Sequence, residues 1–279
     1  MSALDLPFPS SLSPSRASDF MTCPLLFRFR SIDRLPEEPS VAAIRGSLIH
    51  RALETLYDLP ASERTPAAVA TLVGRAFSEL ERDSAESADI VREQVGGPEV
   101  AALIDSYFGL EDPRRLEPHA RELGVSVQLE PSFEARGFID RVDLSPGGDV
   151  RIVDYKTGRS PGPGFETKAM FQMRFYALVW WRMTGDVPRL LQLMYLGNSE
   201  VLRYEPDADD LRSTERKVLA LRDAISRAAD ASAFDPSPSR LCDWCSHRAL
   251  CPAWGGTPPP LPARQDWPTS SRVEAQPVD

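Results

Sequence analysis

An α/β fold with a central mixed sheet flanked by helices is predicted by three observations. Two β-rich runs, residues 137–144 and 150–156, flank a Pro-Gly-Gly turn and read as a hairpin. Apolar residues at helical spacing stand on both sides of it, at 41–57 upstream and from about 165 to 183 downstream. The coarse order is helix, three strands, helix, strands, which mixes the two element types within one layered core.

The chain has 279 residues, 42% apolar and 26% charged, enough for a substantial core and ordinary for a soluble protein. The first residues show no basic segment followed by an apolar one, so no secretory signal is visible. The longest apolar runs, near 176–181 and 190–196, are far too short to span a bilayer. A cytoplasmic protein with no membrane partner is expected. The net charge of -9 speaks against a uniformly nucleic-acid-binding surface. Its distribution is uneven, with six acids against two arginines over residues 79–93. Arg28, Arg30, Arg45, Arg51, Arg141, Lys156, Arg159, Lys168 and Arg174 are expected to form a local basic groove with modest, salt-sensitive phosphate affinity.

Residues 1–12, polar and broken by proline, read as a flexible lead-in. Ser13-Pro14 caps a short helix over 15–22, which delivers Cys23-Pro24. The following Phe27-Arg28-Phe29-Arg30 is either packing aromatics alternating with solvated arginines or a phosphate-contacting run. The helix at 41–57 carries His50 on the flank of its apolar stripe. Thr65-Pro66 and Pro98 open further helices, to about 82 and 108, which make a helical insertion over about 60–112. Residues 122–129 alternate as a strand leading to the hairpin.

Beyond the hairpin, residues 158–164 form a Gly/Pro loop, and a helix then carries Lys168, Gln172 and Tyr176 as one polar stripe at i, i+4 and i+8. Trp180 and Trp181 belong with the core. Residues 190–196 and 200–204 form a second hairpin around Gly197-Asn198, and 207–230 a long amphipathic helix. From Ala253 the composition, Pro-Pro-Pro-Leu-Pro and then mixed polar residues, predicts a disordered tail to 279.

The first hairpin carries charges inside apolar runs. Alternation puts Phe138, Asp140, Val142 and Leu144 on one strand face, and Ile152, Asp154 and Lys156 on one face of the other. Two carboxylates and a lysine meeting at one spot suit a hard divalent cation, Mg2+ or Mn2+, with the lysine beside it. The alternative is a structural strand pair whose acids are neutralised by Arg141 and Arg151.

The segments Gly137-Phe-Ile-Asp-Arg-Val-Asp143 and Ile152-Val-Asp-Tyr-Lys-Thr-Gly158 resemble the core of the PD-(D/E)XK nuclease superfamily, in its RecB-like exonuclease branch. Gly46-x-x-x-His50 is similar to the helical histidine motif of that branch, and Gln172-x-x-x-Tyr176 to its fourth signature. The resemblance covers about residues 11–252. It implies a restriction-endonuclease-like core, with Asp140, Asp154, His50 and the carbonyl of Tyr155 on the Mg2+ or Mn2+ ion. Lys156 would then position the attacking water, and Glu122, Gln172 and Tyr176 would support the site. Glu122 matches the family's strand-opening acid in rough position, and Glu134 competes with it.

Four cysteines in a cytosolic chain are unsuited to disulfides, and four thiolates suit tetrahedral zinc or an iron-sulfur cluster. Cys23 stands far upstream of Cys242, Cys245 and Cys251, so a shared site would clip the two ends of the chain together. This layout, with proline after Cys23 and Cys251, resembles the staple of AddB nuclease domains and CRISPR-associated RecB-like nucleases. That resemblance implies a structural 4Fe-4S cluster, with Zn2+ as the alternative.

The expected activity is therefore metal-dependent hydrolysis of phosphodiester bonds in DNA, as an exonuclease on single-stranded ends or flaps in repair or recombination. The competing expectation is a DNA-end-binding or scaffold subunit with a nuclease fold, inside a helicase-nuclease or CRISPR-adaptation-like complex. Because the sequence shows no helicase motif, a helicase or repair-complex partner is expected to unwind the substrate.

Overall fold

The computed structural model describes residues 8–93, 95–162 and 166–267, with backbone only for 166–168. Side-chain caps start most of the helices. Ser13 accepts the Arg16 N–H to begin α1 (Pro14–Thr22), Ser40 accepts from Ala43 to begin α3 (Val41–Leu56), and Thr65 accepts from Ala68 to begin α4 (Pro66–Asp83). Between α1 and α3, the Phe-Arg run folds as a second short helix, α2 (Pro24–Ser31), which buries Leu25, Phe27 and Phe29. The insertion holds α4, a short α5 (Ala85–Val91) and α6 (Pro98–Leu110). α5 lies in the acid-rich stretch that showed no apolar stripe; the Ser84 cap starts it, and Ala88 and Val91 are its buried residues.

Among the described residues six strands form one sheet: β1 (Ser11–Leu12), β2 (Ala120–Glu130), β3 (Phe133–Leu144), β4 (Val150–Lys156), β5 (Leu190–Tyr195) and β6 (Glu200–Tyr204). β2 runs antiparallel along nearly the whole of β3. The other edge of β3 is shared, by β1 in parallel at Glu134 and Ala135 and by β4 antiparallel from Arg141 to Leu144. β4 continues the sheet in parallel with β5, which pairs antiparallel with β6. A parallel β4–β5 pair needs a crossover, and α7 (Glu166–Thr184) provides it. A capping box between Asp207 and Asp210 starts α8 (Ala208–Asp230).

The middle of β4, Ile152 and Val153, is buried and apolar on both faces, as a strand covered on two sides must be. Ile152 joins Phe175, Val179, Leu191 and Val218 in the cluster under α7 and α8. Val153 and Tyr155 join Ile49, Leu53, Leu72 and Tyr107 under α3, α4 and α6. This is the predicted α/β architecture, a mixed sheet flanked by helices. Among the described residues no helix is long and apolar enough to cross a membrane.

Both chain ends depart from the sequence expectation. Residues 8–12 are no loose lead-in: Ser11 and Leu12 are buried strand residues, and Phe8 packs edge-on against Trp267 at 4.7 Å. Residues 253–267 return to the body. Arg28 Nη2 donates to the Pro259 carbonyl at 2.5 Å, and Trp267, only 7% exposed, donates through Nε1 to the Pro262 carbonyl at 2.8 Å. Proline removes ladder donors but leaves a tryptophan free to bury its ring. The rest of the expected tail (268–279), residues 1–7, the 163–165 part of the loop and helix start, and the Lys168 side chain lie outside the described residues.

Candidate active site

The site opens where β3 and β4 part. Their ladder ends at Arg141↔Val153. One residue further on, the Asp140 side chain replaces the strand partner, and its Oδ2 accepts the Tyr155 backbone N–H at 2.8 Å. Tyr155 thus reaches the site through its N–H, while its ring is buried on the α3 side of the sheet. Asp154, 1% exposed, points toward α7: its Oδ1 accepts from Gln172 Nε2 at 2.7 Å. Lys156 Nζ stands 2.5 Å from Asp154 Oδ2 and donates to Gln172 Oε1 at 3.1 Å. Asp154 Oδ2 is buried and accepts no aligned hydrogen bond, so the lysine meets it as an ion pair alone.

α3 and β2 complete the cluster. His50 Nδ1 lies 3.3 Å from Asp140 Oδ2. Between the pairs Arg121↔Arg141 and Leu123↔Ile139, Glu122 stands across from Asp140, with a left-handed backbone (φ 45°) unusual for a non-glycine residue. One ligand atom from each of His50, Glu122 and Asp140 lies within 4.8 Å of the other two. Of the two competing acids, Glu122 is therefore the one brought to the cluster. Glu134 lies at the far end of β3, opposite Ser11 and Gln128. Burial, then the charge of Asp154, raises the Asp140 carboxyl well above the usual range. Burial, then the charge of Asp140, pushes Glu122 up to about 7. Two crowded carboxylates and an imidazole are a donor set that fits a hard divalent cation.

Tyr176 supports Gln172 from the same helix, with its hydroxyl accepting from Gln172 Nε2 at 3.2 Å. Its ring lies against Gly137, where a Cβ would stand 2.7 Å from the ring, so only glycine admits the tyrosine there. Gly46, one turn before His50, faces the Thr157 side chain just beyond Lys156.

The arginines do not neutralise the site acids. Arg141, 1% exposed, binds Glu111 and Asp143 and donates to the hydroxyls of Tyr57 and Tyr155; Arg151 also binds Asp143. Arg141 and Arg151, expected as the neutralising partners in the structural alternative, are thus spent on Glu111 and Asp143 and not on Asp140 or Asp154. The expected basic groove needs the same correction, because most of its members are already paired: Arg28 with Asp33, Arg30 with Asp19 and Glu37, Arg45 with Glu99, Arg51 with Glu54. An acidic chain compensates its guanidiniums locally before any ligand arrives. The Arg141 network escaped sequence reasoning. Arg141 and Asp143 at i and i+2 share a strand face, which was a usable signal, but Glu111 and Tyr57 carried none.

Cys23, Cys242, Cys245 and Cys251 are unpaired and line one small cavity of about 50 Å³. The Ser237 N–H donates to Cys23 Sγ at 3.4 Å and the Ser239 N–H to Cys242 Sγ at 3.3 Å. Four cysteines around one cavity, with amides aimed at two of the sulfurs, are a lining a thiolate-bound cluster could use, although among the described residues no three of these sulfurs lie within 4.8 Å of one another. His247, in the same loop, is 4% exposed and stands 2.9 Å from Glu37, tying the loop to the segment after α2.

The sequence profile of the PD-(D/E)XK nuclease superfamily matches residues 11–252. The chain is 31% identical over 139 residues to the Gene 69 protein of Mycobacterium phage L5, a match that covers 48% of this chain and 45% of that protein. It is 25% identical over 272 residues to the Gene 69 protein of Mycobacterium phage D29, covering 87% of this chain and 96% of that one. Among solved structures, that of a proposed exonuclease from Eubacterium rectale is similar in fold, with a TM-score of 0.54 at 12% identity, over 88% of this chain and 92% of the other.

Proposed function

Because the chain belongs to the PD-(D/E)XK nuclease superfamily, whose members use divalent metals, we propose that it is a DNA exonuclease hydrolysing phosphodiester bonds at single-stranded ends or flaps. Two observations support this reading: the Asp154–Lys156 ion pair, and the His50–Glu122–Asp140 group that meets the Tyr155 N–H next to it at the β3–β4 fork. His50, Asp140, Asp154 and the Tyr155 carbonyl would hold Mg2+ or Mn2+. When bound, the ion supplies Lewis-acid polarisation of the phosphate and acidifies a water. Lys156 orients that water and offsets charge building on the phosphate. Gln172 holds Lys156 and Asp154 in register, and Tyr176 holds Gln172. Glu122 takes up a proton or supports the ion beside Asp140.

The four cysteines are assigned to a structural 4Fe-4S cluster that closes the domain, supported by the one cavity they all line and by the amide donors on Cys23 and Cys242. When bound, such a cluster supplies covalent cross-linking between the α1–α2 junction and the 242–251 loop. The setting we propose is cytoplasmic DNA repair or recombination, beside a helicase that supplies single strands.

The test is direct. Purified protein with Mn2+ and end-labelled single-stranded DNA yields short products, and Asp154→Asn and Lys156→Ala yield none while keeping the wild-type circular dichroism. DNA that is shifted but never shortened, or Lys156→Ala cutting at the wild-type rate, rejects the hydrolytic reading.

A further inference from the structure

Single exposed apolar side chains are ordinary on a protein surface. Phe138 is different in its position. It is 52% exposed, stands two residues before Asp140 on β3, and lines two cavities at once. One, about 660 Å³, is walled by Gly46, Ser47, His50, Asp140 and Thr157. The other, about 420 Å³, is walled by Ser13, Ser15, Ser18, Arg136, Gln172 and Tyr176. The ring is therefore the ridge between the cavity that holds the acids and a second, polar cavity against α1. A chain molecule seated at Asp140 and continuing past Gln172 must cross that ring.

The second cavity has the chemistry of an anion site. Arg136, Phe138 and Asp140 alternate on one face of β3, so cation, ring and acid stand in a row. Arg136 Nη1 is buried without a hydrogen-bond partner, and among the described residues no carboxylate pairs with this guanidinium. Burial, then the charge of Arg136, brings the neighbouring Arg16 down to about 10, as expected where positive charge is left without a counter-ion. Ser13, Ser15 and Ser18 line the same wall, and the hydroxyl protons not used in the Ser13–Ser15 hydrogen bond add neutral donors. A ring next to a cationic, hydroxyl-lined cavity is what one nucleotide asks for: a π-face for the base and donors for the phosphate.

We infer that Phe138 is a base-stacking ridge for single-stranded DNA and that Arg136, with Ser13, Ser15 and Ser18, holds the phosphate next to the one at the acids. This rests on the nuclease reading and adds to it the path of the strand. Its direction is across β3, from the His50 side to the α1 side. It also explains how an acidic chain with mostly paired arginines holds a polyanion: through one stacked base and one unpaired guanidinium instead of a broad basic surface.

Anisotropy of a fluorescein-labelled single-stranded oligodeoxynucleotide, measured on the full-length protein with Ca2+ as a hard cation, tests the inference. Phe138→Ala weakens binding about 5- to 100-fold, the range for losing one base stacked on an aromatic side chain, and Phe138→Trp restores it. A single abasic site moved along the oligonucleotide costs the wild type that same factor at one position and costs Phe138→Ala nothing further there. Arg136→Gln lowers the slope of log affinity against log salt by about 0.7, the contribution of one single-stranded phosphate contact, whereas Phe138→Ala leaves the slope as it is. Wild-type affinity in Phe138→Ala, or losses from the abasic site and the substitution that multiply, overturns the ridge. An unchanged salt slope in Arg136→Gln overturns the phosphate subsite. Cleavage in Mn2+ is scored separately, so that cutting without any Phe138 effect rejects this inference and spares the nuclease, while a Phe138 effect without cutting does the reverse.

Discussion

Gln172 grips Asp154 and Lys156 with the two ends of one amide: Nε2 donates to Asp154 Oδ1 at 2.7 Å, and Oε1 accepts from Lys156 Nζ at 3.1 Å. The acid and the base of the D-x-K segment are thus held by a side chain from the crossover helix. Gln172→Leu removes both bonds at similar volume, and kcat on single-stranded DNA is expected to fall about 10- to 100-fold with little change in KM, the usual effect of losing a group that orients a metal ligand. Gln172→Glu does not rescue, because its second oxygen meets the Asp154 carboxylate. Steady-state kinetics on both variants checks this.

Asp140 and Glu122 hold protons more tightly in the folded chain than in the unfolded one, chiefly through burial. For acids shifted upward, the linked stability is present below the unfolded carboxyl range and is lost as pH rises through the folded values, about 7 for Glu122. Metal-free protein should therefore lose thermal stability between about pH 5 and 8, and Mn2+ should restore it most at the upper end, where the ion no longer competes with protons. Melting curves with EDTA and with Mn2+ across that range give the answer. A metal-free Tm that rises with pH contradicts it.

Gly137 leaves room for the Tyr176 ring, since a Cβ there would lie 2.7 Å from it. Gly137→Ala should cost about 1–3 kcal/mol, the range for overpacking. If the clash is the cause, Gly137→Ala on a Tyr176→Ala background costs clearly less than on the wild type. Urea unfolding of the four proteins in the cycle measures the coupling.

Arg141 sits 1% exposed between Glu111 and Asp143, with burial opposing its charge and the hydrogen-bonded Glu111 sustaining it. Arg141→Leu strands Glu111, while Arg151 still holds Asp143, and should cost about 3–5 kcal/mol, as for a buried pair broken from one side. Equilibrium denaturation should detect this loss even in protein purified with its metals intact.

Cys23 and the 242–251 loop share one cavity although they lie at opposite ends of the chain. Cys23→Ser and Cys251→Ser should each abolish visible iron-sulfur absorbance and expose residues near 236–256 to limited proteolysis. Stoichiometric zinc in colourless, anaerobically prepared wild type would reassign the site to Zn2+.

The legible part of the fold was that governed by local chemistry. Ser13-Pro14 and Thr65-Pro66 announced helix starts because a cap is a bond between near neighbours. α5 was not announced, because a short helix with two buried residues leaves little periodicity to read. Residues 8–12 and 253–267 departed from expectation for a related reason. Proline content reports on backbone donors, whereas Trp267 and Phe8 are held by ring packing between segments far apart in sequence.

The sequence by itself determined the hairpin that carries Asp140, Asp154 and Lys156, and the helix that carries Gln172 and Tyr176, since alternation and helical period place side chains on faces. Tertiary structure alone decided that Glu122 and not Glu134 stands beside His50, that Arg141 serves Glu111 and not the site acids, and that Phe138 divides two cavities. The physical reason is that a charge takes its partner, and a ring its exposure, from what crosses the sheet from distant segments, and no local period records that.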